Sequence, residues 1–336
     1  MKTIESYNEL TTVDPGGVLT IGNFDGLHLG HQAIMARARR CARQRSAPLT
    51  VMTFEPHPIA VLRPDQAPPS VTPPAMKRHL LAALGATYFH VIPTDRPLLE
   101  LCPEEFVRRF VVDAVRPSLV VEGHDFTFGA GRSGNLEVLA ELGAMYGFEV
   151  AVVEPEQVKL PEDGLVRVSS TLIRRLVAEG EVARVAAVLG RPYRLAGPII
   201  RGKGKGRQLG FPTVNMALPA QVIPAHGVYA GYAAIAADLD AVCAVERGQP
   251  AVFSIGSAST LGRDQTLLIE AHFIGLQVPD ATDKYLAMDF IQRLRPQQKF
   301  PSEAELSAHI TQDCQEAAKA LSSPSDPSEK NLAIRI

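Results

Sequence analysis

From residue 18 to about residue 190, short apolar runs alternate with amphipathic stretches of ten to fifteen residues. The first apolar run, 18–21, precedes a helical pattern over 31–45 that places Ile34, Ala38 and Cys41 on one face. Further strands are predicted at 49–54, 88–92, 119–121 and 148–153, and further helices at 75–84, 104–115 and 136–146. Strands separated by helices indicate βαβ units. The pattern therefore predicts an α/β domain with a doubly wound parallel sheet.

After residue 190 the helical patterns give way to strand-like segments in series, separated by turns that contain Gly and Pro. These segments are 193–200, 228–236, 251–255, 267–274 and 285–291. Several short strands with no long helix between them predict a smaller antiparallel β-barrel.

One amphipathic helix is predicted to close this second domain. Over 303–321, Leu306, Ile310, Cys314 and Ala317 recur at helical spacing. The predicted domains are therefore residues 1–190 and 191–322. The polar, proline-bearing segment 323–336 is expected to be a mobile tail.

Charge and cysteine content narrow the class of protein. The chain has 34 Lys and Arg against 36 Asp and Glu, which argues against nucleic acid or an anionic membrane as partner. The first residues lack the apolar segment of a signal peptide. The cysteines lie far apart and without a CxxC pair, at positions Cys41, Cys102, Cys243 and Cys314. We predict a cytoplasmic enzyme whose oligomeric state the sequence leaves open.

The motif GNFDGLHLGH, residues 22–31, joins the first predicted strand to the first predicted helix. Backbone N–H groups at such a junction bind phosphate, and His28 and His31 can neutralise charge on an α-phosphate as pyrophosphate leaves. Two alternatives remain: the histidines only cap the helix, or they hold a metal together with His57. The candidate nucleotide-binding residues of this loop are Gly22, Asn23, Phe24, Asp25 and Gly30.

Two later segments of the first domain carry candidate binding residues. Ser169, Ser170 and Thr171 precede an apolar helix, where hydroxyls are usually caps, but Arg174 one turn later favours an anion site. Phe54, Phe126 and Phe128 are expected on loops that hold a planar apolar ring between them, unless Phe54 packs in the core.

A run that satisfies GxGxxG, residues 129–134, offers a different interpretation. It would indicate a Rossmann dinucleotide site and an oxidoreductase. Residues 122–128 separate it from the preceding strand, however, so we rank this alternative far below phosphate transfer.

The second domain opens with a glycine-rich basic segment, residues 202–215. Gly204, Gly206 and Arg207 can surround phosphates, while Thr213 and Asn215 offer oxygen ligands for Mg²⁺ bound to ATP. The alternative is a flexible basic hairpin loop.

An acidic residue in an apolar strand is the second candidate group of this domain. Phosphorylation of an alcohol needs a proton acceptor, and Glu270 is the candidate. Alternation alone leaves open that Glu270 is an outward-facing strand residue.

Four motifs of the first domain together resemble one family. The run 22–31 is similar to the nucleotidyltransferase signature. Three further motifs are FEPHP at 54–58, GHDFTFGAGRSG at 123–134 and VSSTLIR at 168–174. Together, the four motifs resemble the FMN adenylyltransferase module of bacterial bifunctional riboflavin kinase/FAD synthetases. The resemblance implies a nucleotidyltransferase-like sheet and places the β- and γ-phosphates of ATP at 169–174. The implied flavin-binding residues are Phe54, His57, Pro58, Asp125, Phe126 and Phe128.

The segment 202–215 resembles the riboflavin kinase signature GxxxGRxLGFPTxN, and LIEAH at 268–272 resembles the strand that carries the family's general base. The resemblance implies a riboflavin-kinase-like barrel, Glu270 as general base, and Mg²⁺ with ATP. It implies two reactions: riboflavin to FMN, then FMN to FAD with release of pyrophosphate.

The second domain departs from the family's pattern after residue 230. The family's NIGxRPT reads SIGSAST at 254–260, and Gln297 stands where Glu is expected. The alternatives are an adenylyltransferase whose second domain is a degenerate flavin-binding or regulatory module, and a flavin carrier without catalysis.

Overall fold

The computed structural model describes residues 1–5, 13–202, 204–258 and 266–322. Contacts divide the chain into two compact units. The first consists of Met1–Pro68 and Lys77–Val168; the second consists of Pro69–Met76 and the chain that follows Val168. The predicted tail, 323–336, lies outside the described residues.

The first unit contains a six-stranded parallel sheet with the order β1-β4-β3-β2-β5-β6. Its strands are β1 (Lys2–Ile4), β2 (Val18–Ile21), β3 (Leu49–Glu55), β4 (Tyr88–Pro93), β5 (Leu119–Gly123) and β6 (Glu149–Val153). The predicted doubly wound sheet is confirmed. The strand order reverses between β2 and β5, which is where open α/β sheets bind their ligands.

Helices and one short hairpin complete the chain up to residue 168. The helices are α1 (Leu29–Gln44), α2 (Pro58–Leu62), α3 (Pro74–Ala83), α4 (Arg96–Leu99), α5 (Pro103–Phe106), which continues as a π-helix over Val107–Val115, and α6 (Leu136–Tyr146). Each predicted helix is present. The hairpin β7 (Gln157–Leu160) and β8 (Gly164–Arg167) was not predicted, because Pro161 and Gly164 interrupt its pattern.

The second unit contains a closed antiparallel barrel with the order β10-β13-β12-β11-β14-β9. Its strands are β9 (Tyr193–Ile200), β10 (Val214–Met216), β11 (Gly227–Ala236), β12 (Gln249–Ala258), β13 (Thr266–Phe273) and β14 (Tyr285–Pro296). The predicted barrel is confirmed. The sequence pattern missed β10, which has three residues and lies inside the glycine-rich segment.

The helices of the second unit lie at both ends of its sequence and in two connections. They are α7 (Ser170–Glu179), α8 (Val182–Leu189), α9 (Lys205–Gln208), α10 (Leu239–Ala244) and α11 (Glu303–Ser322). In the described residues, no helix is long and apolar enough to cross a membrane.

The position of α7 and α8 differs from the expected domain boundary near residue 190. Both helices belong to the second unit by their contacts, because the apolar face of α8 packs against β9 and β14. Val185 and Leu189 are buried on that face. The compact units therefore divide one helical pair earlier than the change from helical to strand-like pattern.

The closing helix α11 is present, and its predicted face is the one that packs. Ala317 is buried, and Leu306, Ile310 and Cys314 are half-buried. Asp313 is buried on the same face, where the two guanidinium nitrogens Nε and Nη2 of Arg295 donate to its carboxylate at 2.8 and 2.7 Å. Such a bidentate pair allows a carboxylate at a buried helical position.

Candidate active sites

The loop after β2 in the first unit has an unusual backbone. Phe24, Gly26 and Leu27 all have positive φ, at +47°, +90° and +43°. The Phe24 ring is 2% exposed and anchors the loop in the core. A non-glycine residue held at positive φ is a strained position that surrounding packing must enforce. The loop therefore begins in a fixed conformation at the carboxyl end of the sheet, where the strand order reverses.

His28 and His31 form a stacked pair at the start of α1. Their ring centroids lie 3.6 Å apart, with 16° between the planes. The Nδ1 of His28 accepts a hydrogen bond of 3.3 Å from the His31 backbone N–H, so His28 is also the cap of α1. A Cβ at Gly30 would lie 3.2 Å from that Nδ1, which explains the glycine. Capping and a role toward phosphate are compatible, because capping uses only one ring nitrogen.

Burial depresses the basicity of this cluster. The pKa of His31 lies well below its ordinary value because of burial, with the charges of His28 and Lys77 adding to the effect. Lys77, on α3, is 6% exposed, and its Nζ lies 3.8 Å from the Glu55 carboxylate. Burial lowers the pKa of Lys77 as well, against the opposing charges of Glu55 and Asp25. An arriving anion would reverse these shifts, because it stabilises the protonated bases.

Lys77 is a residue that the sequence analysis missed. It was assigned only to an amphipathic helix. The available signal is its position one turn before Leu81, which is buried, so that a lysine shares the apolar face of the helix. Lysines are almost never fully buried unless they have a partner.

The structure gives His57 other partners than a metal. Its Nε2 lies 3.1 Å from the Asn23 side-chain nitrogen, and its Nδ1 accepts from the Ile59 backbone N–H at 3.2 Å, which caps α2. Across the described ranges, no group of three or more His, Cys, Asp or Glu side chains is placed to hold a metal ion.

The predicted flavin-binding residues are only partly on loops. Phe54 lies at the end of β3 and packs toward Phe106, with 6.1 Å between ring centroids, which is the alternative that the sequence analysis left open. Phe128 is buried, 5.8 Å from Phe106, and Phe126 stacks on it at 5.5 Å. The apolar strand pattern extends through residue 54, so the Phe54 ring packs against the core. Phe126, which is half-buried, is the member of the set that lies toward the surface.

The polar flavin candidates lie at the surface. Asp125 is exposed and pairs with Arg167 at 2.8 Å. Pro58 is the first residue of α2.

The GxGxxG run forms a closed turn. Phe128 and Gly134 pair as an isolated antiparallel bridge around the 3₁₀ turn Ala130–Arg132. A Cβ at Gly134 would lie 2.8 Å from the Phe128 ring. The glycines thus serve the turn and its packing, and the turn does not join β5 directly to a helix as a dinucleotide site requires.

The start of α7 combines a cap with a basic side chain. Ser169 accepts from the Leu172 backbone N–H at 3.1 Å, so the capping role is confirmed. The Nε of Arg174 donates to the Pro69 carbonyl at 2.8 Å, and this hydrogen bond fixes the guanidinium group of Arg174 within the second unit. Ser170 and Thr171 occupy the first turn, and the anion site there stays a prediction.

A cavity of about 400 Å³ lies in the second unit at the glycine-rich segment. Its apolar lining includes Ile199, Val214 and Val278. Its polar lining is Arg201, Gly202, Gly204, Arg207, Thr213, Asn215, Asp280 and Thr282. The structure therefore brings four of the sequence-predicted residues of this domain to one cavity.

Two of the signature's glycines are required by close packing. A Cβ at Gly202 would collide with the Asn215 amide, and one at Gly206 would collide with the Phe211 carbonyl. Asn215 itself is 8% exposed and lies on β10 opposite both Ile200 and Glu270. The loop is thus folded tightly onto the barrel, which argues against the alternative of a flexible hairpin.

Glu270 lies beside the predicted metal ligand Thr213. The Thr213 hydroxyl donates to the Glu270 carboxylate at 3.1 Å. Burial raises the pKa of Glu270, and the hydrogen bond from Thr213 opposes that rise. Glu270 is half-buried and hydrogen-bonded, which disfavours the alternative of a solvated outward-facing residue. A carboxylate with a raised pKa is suited to accept a proton near neutral pH.

His272 is a second residue whose role the sequence analysis missed. Its Nδ1 lies 2.8 Å from the Pro212 carbonyl, and because a carbonyl only accepts, Nδ1 carries the proton. Its ring meets Phe211 edge-on at 5.5 Å. His272 therefore fixes the turn that delivers Thr213 to the cavity.

Residues 10–172 match a family model described as FAD synthetase, and residues 189–321 match one described as riboflavin kinase. A protein of Escherichia coli (strain K12) named bifunctional riboflavin kinase/FMN adenylyltransferase is 33% identical over 93% of this chain and 96% of its own. The protein of that name from Pseudomonas fluorescens is 35% identical over 97% of this chain and 99% of its own. The chain belongs to the bifunctional riboflavin kinase/FMN adenylyltransferase family.

A solved structure agrees with this membership in fold. A crystal structure titled macrolide-efflux protein from Streptococcus pneumoniae is 26% identical and has a TM-score of 0.80, covering 95% of this chain and 99% of that one. The predicted family and enzyme class, a transferase, are confirmed by the models and relatives. The family's two activities generally use ATP with a divalent metal.

One departure from the riboflavin kinase pattern has a visible structural consequence. Gln297 occupies the space next to Gly256, where any Cβ would collide with the Gln297 amide. Gly256 and Ser257 lie in β12, and residues 259–260 of the same altered motif fall outside the described residues.

Proposed function

We propose that this protein phosphorylates riboflavin with ATP to give FMN in the second unit, and transfers an adenylyl group from ATP to FMN in the first. One observation carries the proposal: two clusters of opposite chemical character lie in different units. The barrel holds a carboxylate able to accept a proton, and the sheet holds buried imidazoles and an amine able to neutralise phosphate charge.

In the kinase reaction, Glu270 accepts the proton of the riboflavin 5′-hydroxyl as its oxygen attacks the γ-phosphorus of ATP. Thr213 and Asn215 would hold the Mg²⁺ of Mg·ATP, while Arg207 and the backbone at Gly204 and Gly206 bind the phosphates. The donor set fits Mg²⁺, because Mg²⁺ prefers oxygen ligands and the Thr213 hydroxyl donates its hydrogen bond to Glu270, which leaves the oxygen lone pairs of Thr213 available. When bound, Mg²⁺ neutralises charge on the transferred phosphoryl group.

In the adenylyl transfer, a phosphate oxygen of FMN attacks the α-phosphorus of a second ATP, and pyrophosphate leaves. Positioning and charge neutralisation are sufficient for such a transfer, so no protein nucleophile is needed. His28 and His31 face the reacting phosphate, and Lys77 supports them as a third positive group. The backbone at Gly22 and Gly30 and the side chains of Asn23 and Asp25 bind the nucleotide, with Phe24 anchoring the loop. The anion site predicted at the start of α7, with Ser170, Thr171 and Arg174, is a separate proposal, because α7 belongs to the second unit.

The flavin of the first unit is proposed to contact Phe126, His57 and Asp125, with Pro58 shaping the loop before α2. Phe54 and Phe128 support this surface from the core. A cytoplasmic location, which rests on the isolated cysteines, remains a prediction.

The proposal is tested by incubating the purified protein with ATP and Mg²⁺ and either riboflavin or FMN, and separating the flavins by chromatography. We expect FAD from both substrates and FMN as an intermediate from riboflavin. FAD from FMN alone would show a degenerate kinase domain. Flavin binding without ATP consumption would indicate a carrier, and a nicotinamide-dependent absorbance change would indicate the oxidoreductase; either result would overturn the proposal.

A further inference from the structure

The backbone ladder between β2 and β5 ends early. Val18 pairs with Leu119 and Leu19 with Val120, and there the pairing stops, although each strand continues. On its other side β2 stays paired with β3 to its last residue, and the following Gly22 N–H still donates to the Met52 carbonyl at 3.0 Å. The two central strands therefore separate at their carboxyl ends, beneath residues 22–31, the histidine loop that carries His28 and His31.

One side chain takes over where the ladder stops. If the register continued, Ile21 would face Glu122. Instead, the Ile21 backbone N–H donates to the Glu122 carboxyl oxygen Oε1 at 2.6 Å. Glu122 is 2% exposed, so it satisfies a buried donor that no backbone acceptor reaches.

We propose that Glu122 is a positioning residue for adenylyl transfer, which holds the end of β2 apart from β5 and thereby fixes the loop that carries His28 and His31. The inference rests on the proposed function of the first unit. The loop begins one residue after Ile21, so a shift of that residue is transmitted to the whole loop. The backbone at Phe24 and Leu27 is held at positive φ only by its surroundings, so the conformation of the loop depends on those supports.

The carboxyl group acts here through its acceptor oxygen. Burial raises its pKa well above the ordinary value, against the opposing hydrogen bonds from Ile21 and Thr20. A glutamine has the same length and an equivalent acceptor oxygen, so it should replace Glu122. A methionine has the same length but only a weak acceptor sulfur, so it should not.

The test compares Glu122→Gln and Glu122→Met in the full-length chain by flavin chromatography and by hydrogen–deuterium exchange of the peptide that contains Ile21. For Glu122→Met we expect a kcat for FAD formation from FMN that is lower by roughly ten- to a hundredfold, with faster exchange at Ile21. Glu122→Gln should match wild type in both measurements. Riboflavin phosphorylation by the second unit should be unchanged in both variants, which controls for unfolding of the chain.

Each other result overturns the proposal. Wild-type kcat and exchange in Glu122→Met would show that the acceptor is not needed. Equal losses in Glu122→Gln and Glu122→Met would show that an ionised carboxylate acts in the chemistry. Loss of both reactions together in Glu122→Met would show a general rather than a local effect. Absence of FAD formation by the wild-type protein would instead refute the proposed function, and the exchange comparison would still decide the role of Glu122 at Ile21.

Discussion

The histidine loop of the sheet and the cavity of the barrel are both sites for phosphate chemistry, and burial shifts their ionisable groups in opposite directions. It lowers the pKa of the bases His31 and Lys77, and it raises the pKa of the acid Glu270. In both cases desolvation disfavours the charged form. The difference lies in what the substrate does to the charge: an arriving phosphate stabilises the protonated bases of the sheet, and the substrate proton neutralises the carboxylate of the barrel.

The two sites also differ in how their loops are held. The histidine loop is fixed by positive φ at Phe24 and Leu27 and by a buried ring. The glycine-rich segment of the barrel, residues 202–215, is fixed by glycines that pack against Asn215 and Phe211. His272 also fixes it through a hydrogen bond to the Pro212 carbonyl. In the sheet, packing around a strained backbone fixes the site that must concentrate positive charge. In the barrel, close packing against glycines fixes the site that must present oxygen ligands.

The largest expected effect comes from removing the proton acceptor of the barrel. Glu270→Gln should lower riboflavin phosphorylation by about 10²–10⁴-fold, the usual contribution of a general base. FAD formation from FMN should stay at the wild-type rate, because the sheet site uses no carboxylate base. An equal loss of both reactions, measured by flavin chromatography, would contradict the division of chemistry between the units.

The converse substitution should affect only the sheet. His31→Gln removes one of the stacked imidazoles, and FAD formation from FMN should fall by about 10²–10³-fold, as for other groups that stabilise charge in a transition state. Riboflavin phosphorylation in the same sample is the control and should not change. Retention of adenylyl transfer would refute a role for the histidine pair in charge neutralisation.

A smaller effect should follow from Lys77→Met, which removes the buried amine but keeps the apolar stem. We expect FAD formation to fall by about tenfold. Because the depressed pKa values of His31 and Lys77 should rise when phosphate binds, ATP binding should take up protons in the pH range where these groups titrate. Calorimetry in buffers of different ionisation enthalpy measures this uptake, and it should shrink in Lys77→Met.

In the barrel, the Thr213 hydrogen bond should set the pH range of the kinase. That bond lowers the pKa of Glu270, so Thr213→Val should raise this pKa further and move the acidic limb of the kinase kcat/KM profile to higher pH. Thr213→Ser keeps the hydroxyl and should leave the limb in place. If the acidic limb does not move in Thr213→Val, the titration that it reports is not that of Glu270.

The smallest effect concerns a buried base outside both sites. Burial lowers the pKa of His90 to about 4, from 6.5 in an unfolded chain. The unfolded state therefore binds a proton between these pH values while the folded state does not, so stability is lost as the pH falls from 6.5 to 4, by about 3 kcal/mol in total.

Thermal unfolding at about pH 7 and about pH 4.5 measures this loss, and His90→Gln should reduce the pH dependence. Both reactions should be unaffected near neutral pH. Such a result would show that a depressed pKa alone does not mark a functional site, since burial lowers the pKa of His90 as it does that of His31, but His90 takes no part in phosphate chemistry.

Much of the fold follows from periodicity, because long amphipathic helices and apolar strands bury the faces that their patterns predict. Short elements such as β1 and β10 escape, since three residues carry too little pattern. Motif residues near one another in sequence, such as His28 and His31, are found together. Lys77 and Glu122 are missed, because their importance comes from burial and from partners distant in the chain. The packing of Phe54 stayed open between two alternatives, because an aromatic ring at a strand end packs equally well in a core or in a loop.

The most direct test of two independent sites is complementation between two variants, each of which lacks one of the two reactions. His31→Gln incubated with riboflavin, ATP and Mg²⁺ should accumulate FMN, and Glu270→Gln should leave riboflavin unchanged. A mixture of the two proteins should form FAD, because FMN released by one barrel reaches the intact sheet site of the other chain. Failure of the mixture to form FAD, while each variant retains its remaining single reaction, would contradict independent action of the two units.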